Sequence, residues 1–157
     1  MIPPACRKAV PEDAPAIVGL YKAGSGRQLD PSRVAGYIRD YPSAVAYCDG
    51  TLVGFAFCTP FAPDIVELGN IFIAEMQRNA GIGTRLLRII EDEASAGYHS
   101  IIVVNSMLYK GVPSKWPATQ FYLRMGYQCL WSTGETNVFV KEVRVRRQSG
   151  DKQSDRV

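Results

Sequence analysis

The chain has 157 residues, 46% apolar and 21% charged, which fits one ordinary globular domain with a core of its own. Its formal charge of +3 is concentrated at the C-terminus, where residues 141–157 hold six basic residues (Lys141, Arg144, Arg146, Arg147, Lys152, Arg156) against three acidic ones, leaving the rest balanced. Scattered cysteines (Cys6, Cys48, Cys58, Cys129), no CxxC pair and a single histidine speak against a metal site or a disulfide framework.

A single domain over residues 1–143 and a flexible basic tail over 144–157 follow. With no aromatic residue among its charges, the tail reads as a solvated extension rather than a nucleic-acid contact. Residues 1–13 lack the apolar centre of a secretory signal, and no apolar run approaches a membrane span. A cytoplasmic protein with reduced thiols is expected.

In chain order, residues 6–10 suggest an edge strand. Pro11-Glu12-Asp13 suits the first turn of a helix whose apolar stripe is Ala14, Ile17, Val18 and Tyr21, stopped at Gly24-Ser25-Gly26. Asp30-Pro31-Ser32 would cap a second short helix over 33–40, and the connection 24–29 is a candidate lining of a substrate cleft. Strands over 44–47 and 52–58 flank Asp49-Gly50, a strong hairpin signal. Residues 61–64 read as the next turn.

Glu67 opens a strand with Leu68, Ile71, Phe72 and Ile73, followed by Arg78-Asn79-Ala80-Gly81-Ile82-Gly83-Thr84 and then by a helix with Leu86, Leu87, Ile90 and Ala94 on one face. Strand, glycine turn and helix N-terminus form a phosphate-binding arrangement. The first helical turn leaves N–H groups unpaired at the positive end of the dipole, and glycine lets the backbone approach a ligand closely. Arg78 and Arg85 add charge and Thr84 a hydroxyl. Neither GxxxxGK[ST] nor GxGxxG is present. Gly97 is expected as the helix C-cap, residues 100–104 as a buried strand, and 105–117 as a loop. A helix over 118–125 ends at Gly126, and 127–131 with 137–145 complete the sheet. The order β-α-α-β-β-β-α-β-α-β-β predicts an α/β fold with a mixed sheet.

Arg-x-x-Gly-x-Gly at residues 78–83 resembles the acyl-CoA-binding motif of the GNAT superfamily of N-acetyltransferases. The stretch Phe121-Tyr122-Leu123-Arg124-Met125-Gly126-Tyr127 resembles its second hallmark, Phe/Leu-Tyr-x-x-x-Gly-Phe/Tyr, and follows in the same order. The likeness spans roughly residues 5–140 and implies a sheet splayed between the strands at 68–73 and 101–104. There acetyl-CoA would lie as cosubstrate. It further implies that backbone groups near Phe72 and Ile73 pair with the pantetheine arm, that the amides from Arg78 through Thr84 hold the pyrophosphate, and that a strand N–H near Ile73 serves the oxyanion. The implied chemistry is direct attack of a small primary amine on the thioester, with Tyr122 as the acid at the leaving thiolate and Glu67 as the base. Glu75, Asp64 and Asp30 are weaker candidates for the base, and His99 reads as a surface residue. The family's usual asparagine ahead of the last helix is Lys115 here, so Asn105 would have to supply that amide. Tyr21, Tyr37, Tyr41, Tyr109 and Trp116 suggest an aromatic acceptor pocket. A homodimer through the last strands, and a non-catalytic acyl-CoA-binding module, are the remaining expectations.

Overall fold

The structure, a computed structural model, describes residues 2–109, 111–113 and 118–143. Strand β1 (Ala5–Lys8) leads through a 3-10 turn (Pro11–Asp13) into helices α1 (Ala14–Ser25) and α2 (Pro31–Asp40). Strands β2 (Ser43–Cys48), β3 (Thr51–Ala62) and β4 (Ile65–Ile73) follow, then helix α3 (Ile82–Ala94) and strand β5 (Ser100–Ser106). A two-strand ladder, β6 (Leu108–Tyr109) and β7 (Val112–Pro113), precedes helix α4 (Thr119–Arg124) and strands β8 (Gln128–Ser132) and β9 (Thr136–Glu142). One sheet takes the order β1-β2-β3-β4-β5-β9-β8. Its β4–β5 pair is parallel and the other pairs are antiparallel, so the sheet is mixed as expected.

The two faces of the sheet carry two cores. On one, the α3 stripe of Ile82, Leu86, Leu87, Ile90 and Ala94 is buried against Ala56, Cys58, Val66, Leu68 and Ile101. On the other, Ala14, Ile17 and Val18 of α1 and Val34 and Ile38 of α2 cover Val45, Phe55 and Phe57. The period-2 alternation of β3 supplies both: Phe55 and Phe57 face one way, Ala56 and Cys58 the other. The β2–β3 connection places Asp49 (φ 49) and Gly50 (φ 75) both left-handed, the geometry that lets two residues join twisted antiparallel strands.

The start of α1 is pinned by Asp13, 5% exposed. Its carboxylate accepts from Arg7 at 2.8 and 2.9 Å, from the Val10 N–H at 2.9 Å and from the Tyr47 hydroxyl at 2.8 Å. Burial alone would raise the carboxyl, but these donors outweigh it and hold it below its ordinary value. A depressed carboxyl stabilises the fold above the unfolded value near pH 4, and that contribution is lost as pH falls through the folded value. Asp13→Asn should therefore cost about 1–3 kcal/mol at pH 7. In urea denaturation the gap to the wild type should narrow at pH 3.

Three local expectations are corrected. Strand β3 continues to Ala62 with an irregularity between Pro60 and Ala62, so only Pro63 and Asp64 form the turn. Helix α3 stops at Ala94 with right-handed Ser95 (φ −62) as its cap, and Gly97 lies beyond in the turn. Residues 105–117 are not all loop, because β5 runs to Ser106 and Leu108–Tyr109 pairs with Val112–Pro113 around left-handed Gly111. Lys115, Trp116 and the basic tail lie outside the described residues. Among those described, no helix is long and apolar enough to cross a membrane.

Candidate active site

The site begins where the sheet comes apart. Strands β4 and β5 pair only at Ile65–Ser100, Val66–Ile101 and Glu67–Ile102. Immediately beyond, β4 carries an extra residue: Cys58 faces Leu68 and Phe57 faces Asn70, which leaves Gly69 unpaired. A β-bulge bends its strand, and here it coincides with the start of the divergence from β5. Only glycine fits the bulge, since a Cβ on Gly69 would lie 2.6 Å from the Thr59 methyl.

Two grooves enter the opening. One, of about 340 Å³, lies on the α1 face and is lined by Tyr21, Ser25, Arg27, Asn70, Asn105, Ser106 and Leu108. The other, of about 660 Å³, lies on the α3 face between Gln77–Thr84 and α4. Both are lined by Ile71, Phe72 and Tyr122, and they meet there.

The larger groove has a backbone floor. Asn79 (φ 63) and Gly81 (φ 78) are left-handed, which curls the chain into a concave run of N–H groups ahead of α3. The first helical bond runs from Arg85 N–H to the Gly81 carbonyl at 3.1 Å, so the amides of Ile82, Gly83 and Thr84 have no helical acceptor. Arg78, Asn79, Gly81, Ile82, Gly83 and Thr84 line the groove, whereas Ala80 does not. The two arginines expected to add charge behave differently. Arg78 folds back, its Nε donating to the Ile73 carbonyl at 3.0 Å and its guanidinium 5.5 Å above the Phe72 ring. Arg85 turns away and donates to the Pro4 carbonyl at 2.7 Å. Gln77, Gln120 and Arg124 line the groove as well, and no sequence signal singled them out.

Strand β4 offers its backbone to the opening. The Ala74 N–H bonds to the Val53 carbonyl at 2.8 Å. The alternation of an antiparallel ladder then directs the Phe72 backbone toward β3, and the N–H groups of Ile71 and Ile73 toward the splay.

Tyr122 is 3% exposed, packed against Phe121, Tyr127 and Phe139 at centroid distances of 5.3, 5.8 and 5.3 Å. Burial pushes its phenol up to about 12. Its short helix is held from behind: Lys141 donates to the Met125 carbonyl at 2.7 Å and to both Glu91 oxygens at 3.0 Å. Glu67 sits at the last paired position before the splay and lines neither groove, with its carboxyl raised by burial. Asn105, expected beside the cofactor, follows Ile101 and Val103 on the same row of β5, opposite Asn137, and lines the smaller groove rather than the larger one.

The weaker candidates are elsewhere. Asp30 caps α2 through the Ser32 N–H at 2.9 Å, and Asp64 sits in the β3–β4 turn beside His99, whose side chain is 61% exposed at the foot of β5. Glu75 belongs to a 3-10 turn (Glu75–Gln77) and lines neither groove. Of the tyrosines, Tyr21 lines the smaller groove, whereas Tyr37 stacks on Phe57 at 5.9 Å and Tyr41 packs on the core. The Tyr109 side chain is outside the described residues. Among the described residues, no group of three or more His, Cys, Asp or Glu side chains could hold a metal.

The sheet is thus split between two parallel strands, with a glycine turn at one mouth and a buried tyrosine at the junction. The sequence matches the acetyltransferase (GNAT) domain over residues 39–129, more than half of the chain, and the chain belongs to that family. No curated protein matches it. Solved structures agree on the fold. The ribosomal-protein-S18-alanine N-acetyltransferase of Escherichia coli superposes with a TM-score of 0.70 at 15% identity, over 90% of this chain and 94% of that one. A GNAT phosphinothricin acetyltransferase from Sinorhizobium meliloti, solved with acetyl-CoA, gives 0.70 at 18% identity, over 91% and 90%. The N-acetylglutamate synthase of Neisseria gonorrhoeae, in complex with coenzyme A and N-acetyl-glutamate, gives 0.69 at 19% identity, over 92% of this chain and 36% of that one.

Proposed function

We propose that the protein is an N-acetyltransferase that moves an acetyl group from acetyl-CoA to a small primary amine. The observation that carries this reading is the meeting of the two grooves at Ile71, Phe72 and Tyr122, one floored by unpaired amides and the other open on the opposite face. An anionic pyrophosphate suits the amides of Ile82, Gly83 and Thr84 at the positive end of α3, and an extended amide-bearing arm suits the Ile71 and Ile73 edge of β4. These features fit acetyl-CoA, which supplies the activated thioester.

The chain's own groups account for the proton traffic. The Ile73 N–H donates to the carbonyl oxygen as negative charge develops there. Glu67, through water, accepts the proton that the amine loses as its C–N bond forms. Tyr122 donates to the sulfur as the C–S bond breaks, and the products are the acetylated amine and a free thiol. The carboxylate form of Glu67 is the competent base, so activity rises as pH passes its raised pKa. Glu67→Gln should lower kcat about 10²-fold and remove that acid limb from the pH profile. An acid limb unchanged in the variant would assign the base elsewhere.

Release of thiol from acetyl-CoA on adding an amine panel tests the whole reading. A folded protein that neither binds acetyl-CoA nor releases thiol refutes it and leaves a family fold without the activity. Binding without turnover of any amine would favour an acyl-CoA-binding module.

A further inference from the structure

The smaller groove carries a chemical bias. Among the described residues lining it, Arg27 is the one charged side chain and none is a carboxylate. Arg27 is held in place there. It follows left-handed Gly26 (φ 74), which turns the chain out of α1. Its amide donates to the Ser25 hydroxyl at 3.1 Å, and its half-buried guanidinium donates to the Tyr21 hydroxyl at 3.2 Å. Tyr21 is in turn fixed edge-on to Phe72 at 5.5 Å, which joins the guanidinium's support to the junction of the grooves.

A second observation comes from β5. The Asn105 Nδ2 is fully buried and has no hydrogen-bond partner among the described residues, although the residue lines the same groove. A buried N–H donor without an acceptor is unfavourable and native proteins seldom keep one, so a turn of the amide toward an oxygen ligand in this groove would satisfy it. A guanidinium and an unsatisfied amide donor together favour an oxyanion. With no carboxylate among its described lining residues, the groove offers no countercharge for the second ammonium of a polyamine.

Resting on the acetyltransferase reading above, we propose that the acceptor is a small primary amine bearing a carboxylate, of amino-acid type. Its carboxylate pairs with Arg27, Asn105 donates a second hydrogen bond, and its amine reaches the Ile71–Phe72–Tyr122 junction. Arg27 is then the residue that selects the substrate class.

The test uses the full chain with saturating acetyl-CoA and thiol detection. It compares L-amino acids with their carboxamides, alongside spermidine and a short peptide with a free N-terminus. The carboxamides have less basic amines, so more of each is in the neutral, attacking form, and a preference for the acids must come from the groove. The expected result is a kcat/KM for the best acid at least about tenfold above its carboxamide. In Arg27→Gln that ratio should fall to near one, chiefly through KM, while acetyl-CoA affinity by calorimetry stays at the wild-type value; Arg27→Lys should recover part of the preference. Carboxamides, spermidine or the peptide used as well as the acids would overturn the assignment. So would a ratio unmoved in Arg27→Gln, or no turnover of acids by protein that binds acetyl-CoA. Wild-type protein that does not bind acetyl-CoA at all would instead overturn the acetyltransferase reading on which it rests.

Discussion

Gly81→Glu should abolish acetyl-CoA binding measured by calorimetric titration, with a loss of more than about 100-fold, or roughly 3 kcal/mol. Two effects act together at this position. Gly81 is left-handed at φ 78, a conformation that costs a residue with a Cβ about 1–2 kcal/mol. The new carboxylate would also face the groove floored by the amides of Ile82, Gly83 and Thr84, replacing an attraction for pyrophosphate by a repulsion. Gly81→Ala separates them. A Cβ there meets nothing within 4 Å, so the alanine variant reports backbone strain alone and should lose about tenfold at most. Equal loss in both would mean that the turn's shape, not its charge, holds the ligand. Undiminished binding in the glutamate variant would remove the pyrophosphate from this turn.

Tyr122→Phe should lower kcat by about 10²- to 10³-fold while leaving acetyl-CoA affinity nearly unchanged. The ring is the packing element, set against Phe121, Tyr127 and Phe139, and phenylalanine preserves it. Only the hydroxyl is lost. At about 12, the phenol remains protonated throughout the range in which a protein of this kind is stable, so its proton is always available. An alkyl thiolate in water, whose thiol titrates near pH 8.5, would be too weak a base to take a proton from such a phenol. A buried thiolate is not in water, however. Burial, with the nearby carboxylates of Glu93 and Glu67, pushes the Cys58 thiol of the same core far above its ordinary value, and a leaving thiolate partly desolvated beside Tyr122 would shift in the same direction. Desolvation therefore raises the basicity of both partners and keeps the transfer closer to balanced. The wild-type profile should show no loss of activity attributable to Tyr122 below pH 10. Full activity in Tyr122→Phe would leave the residue a packing role only.

The sequence showed most clearly what is local. Asp49-Gly50 names its own turn because two consecutive left-handed residues are needed there. The α3 stripe is visible because helical spacing brings Leu86, Leu87, Ile90 and Ala94 to one side. The glycine turn at Gly81 is legible for the same reason, as the conformation demands the residue. Contacts between distant segments were not legible. Arg85 pairs with the carbonyl of Pro4, and nothing near residue 85 announces it. Leu108–Tyr109 becomes a strand only because Val112–Pro113 pairs with it. Arg27 has no pattern around it, and its meaning comes from the groove that α1, β4 and β5 enclose. The cleft role of 24–29 could be suspected from its glycines, but the charge it delivers could not. Asn105 illustrates the same limit: its position at the end of a strand was plain, but the side of the splay it serves depends on where the sheet opens.

The placement of the two grooves on opposite faces of one sheet has a consequence for traffic. In the proposed reaction the donor would approach past α3 and α4 and the acceptor past α1, and the two grooves share Ile71, Phe72 and Tyr122. Neither has to pass through the space the other occupies, so whichever arrives first leaves the second mouth unobstructed. On that reading the thiol and the acetylated amine would depart in opposite directions, and neither product would wait for its neighbour to clear a common exit. The extra residue at Gly69, by letting β4 part from β5, makes the sheet itself the partition between the two lanes.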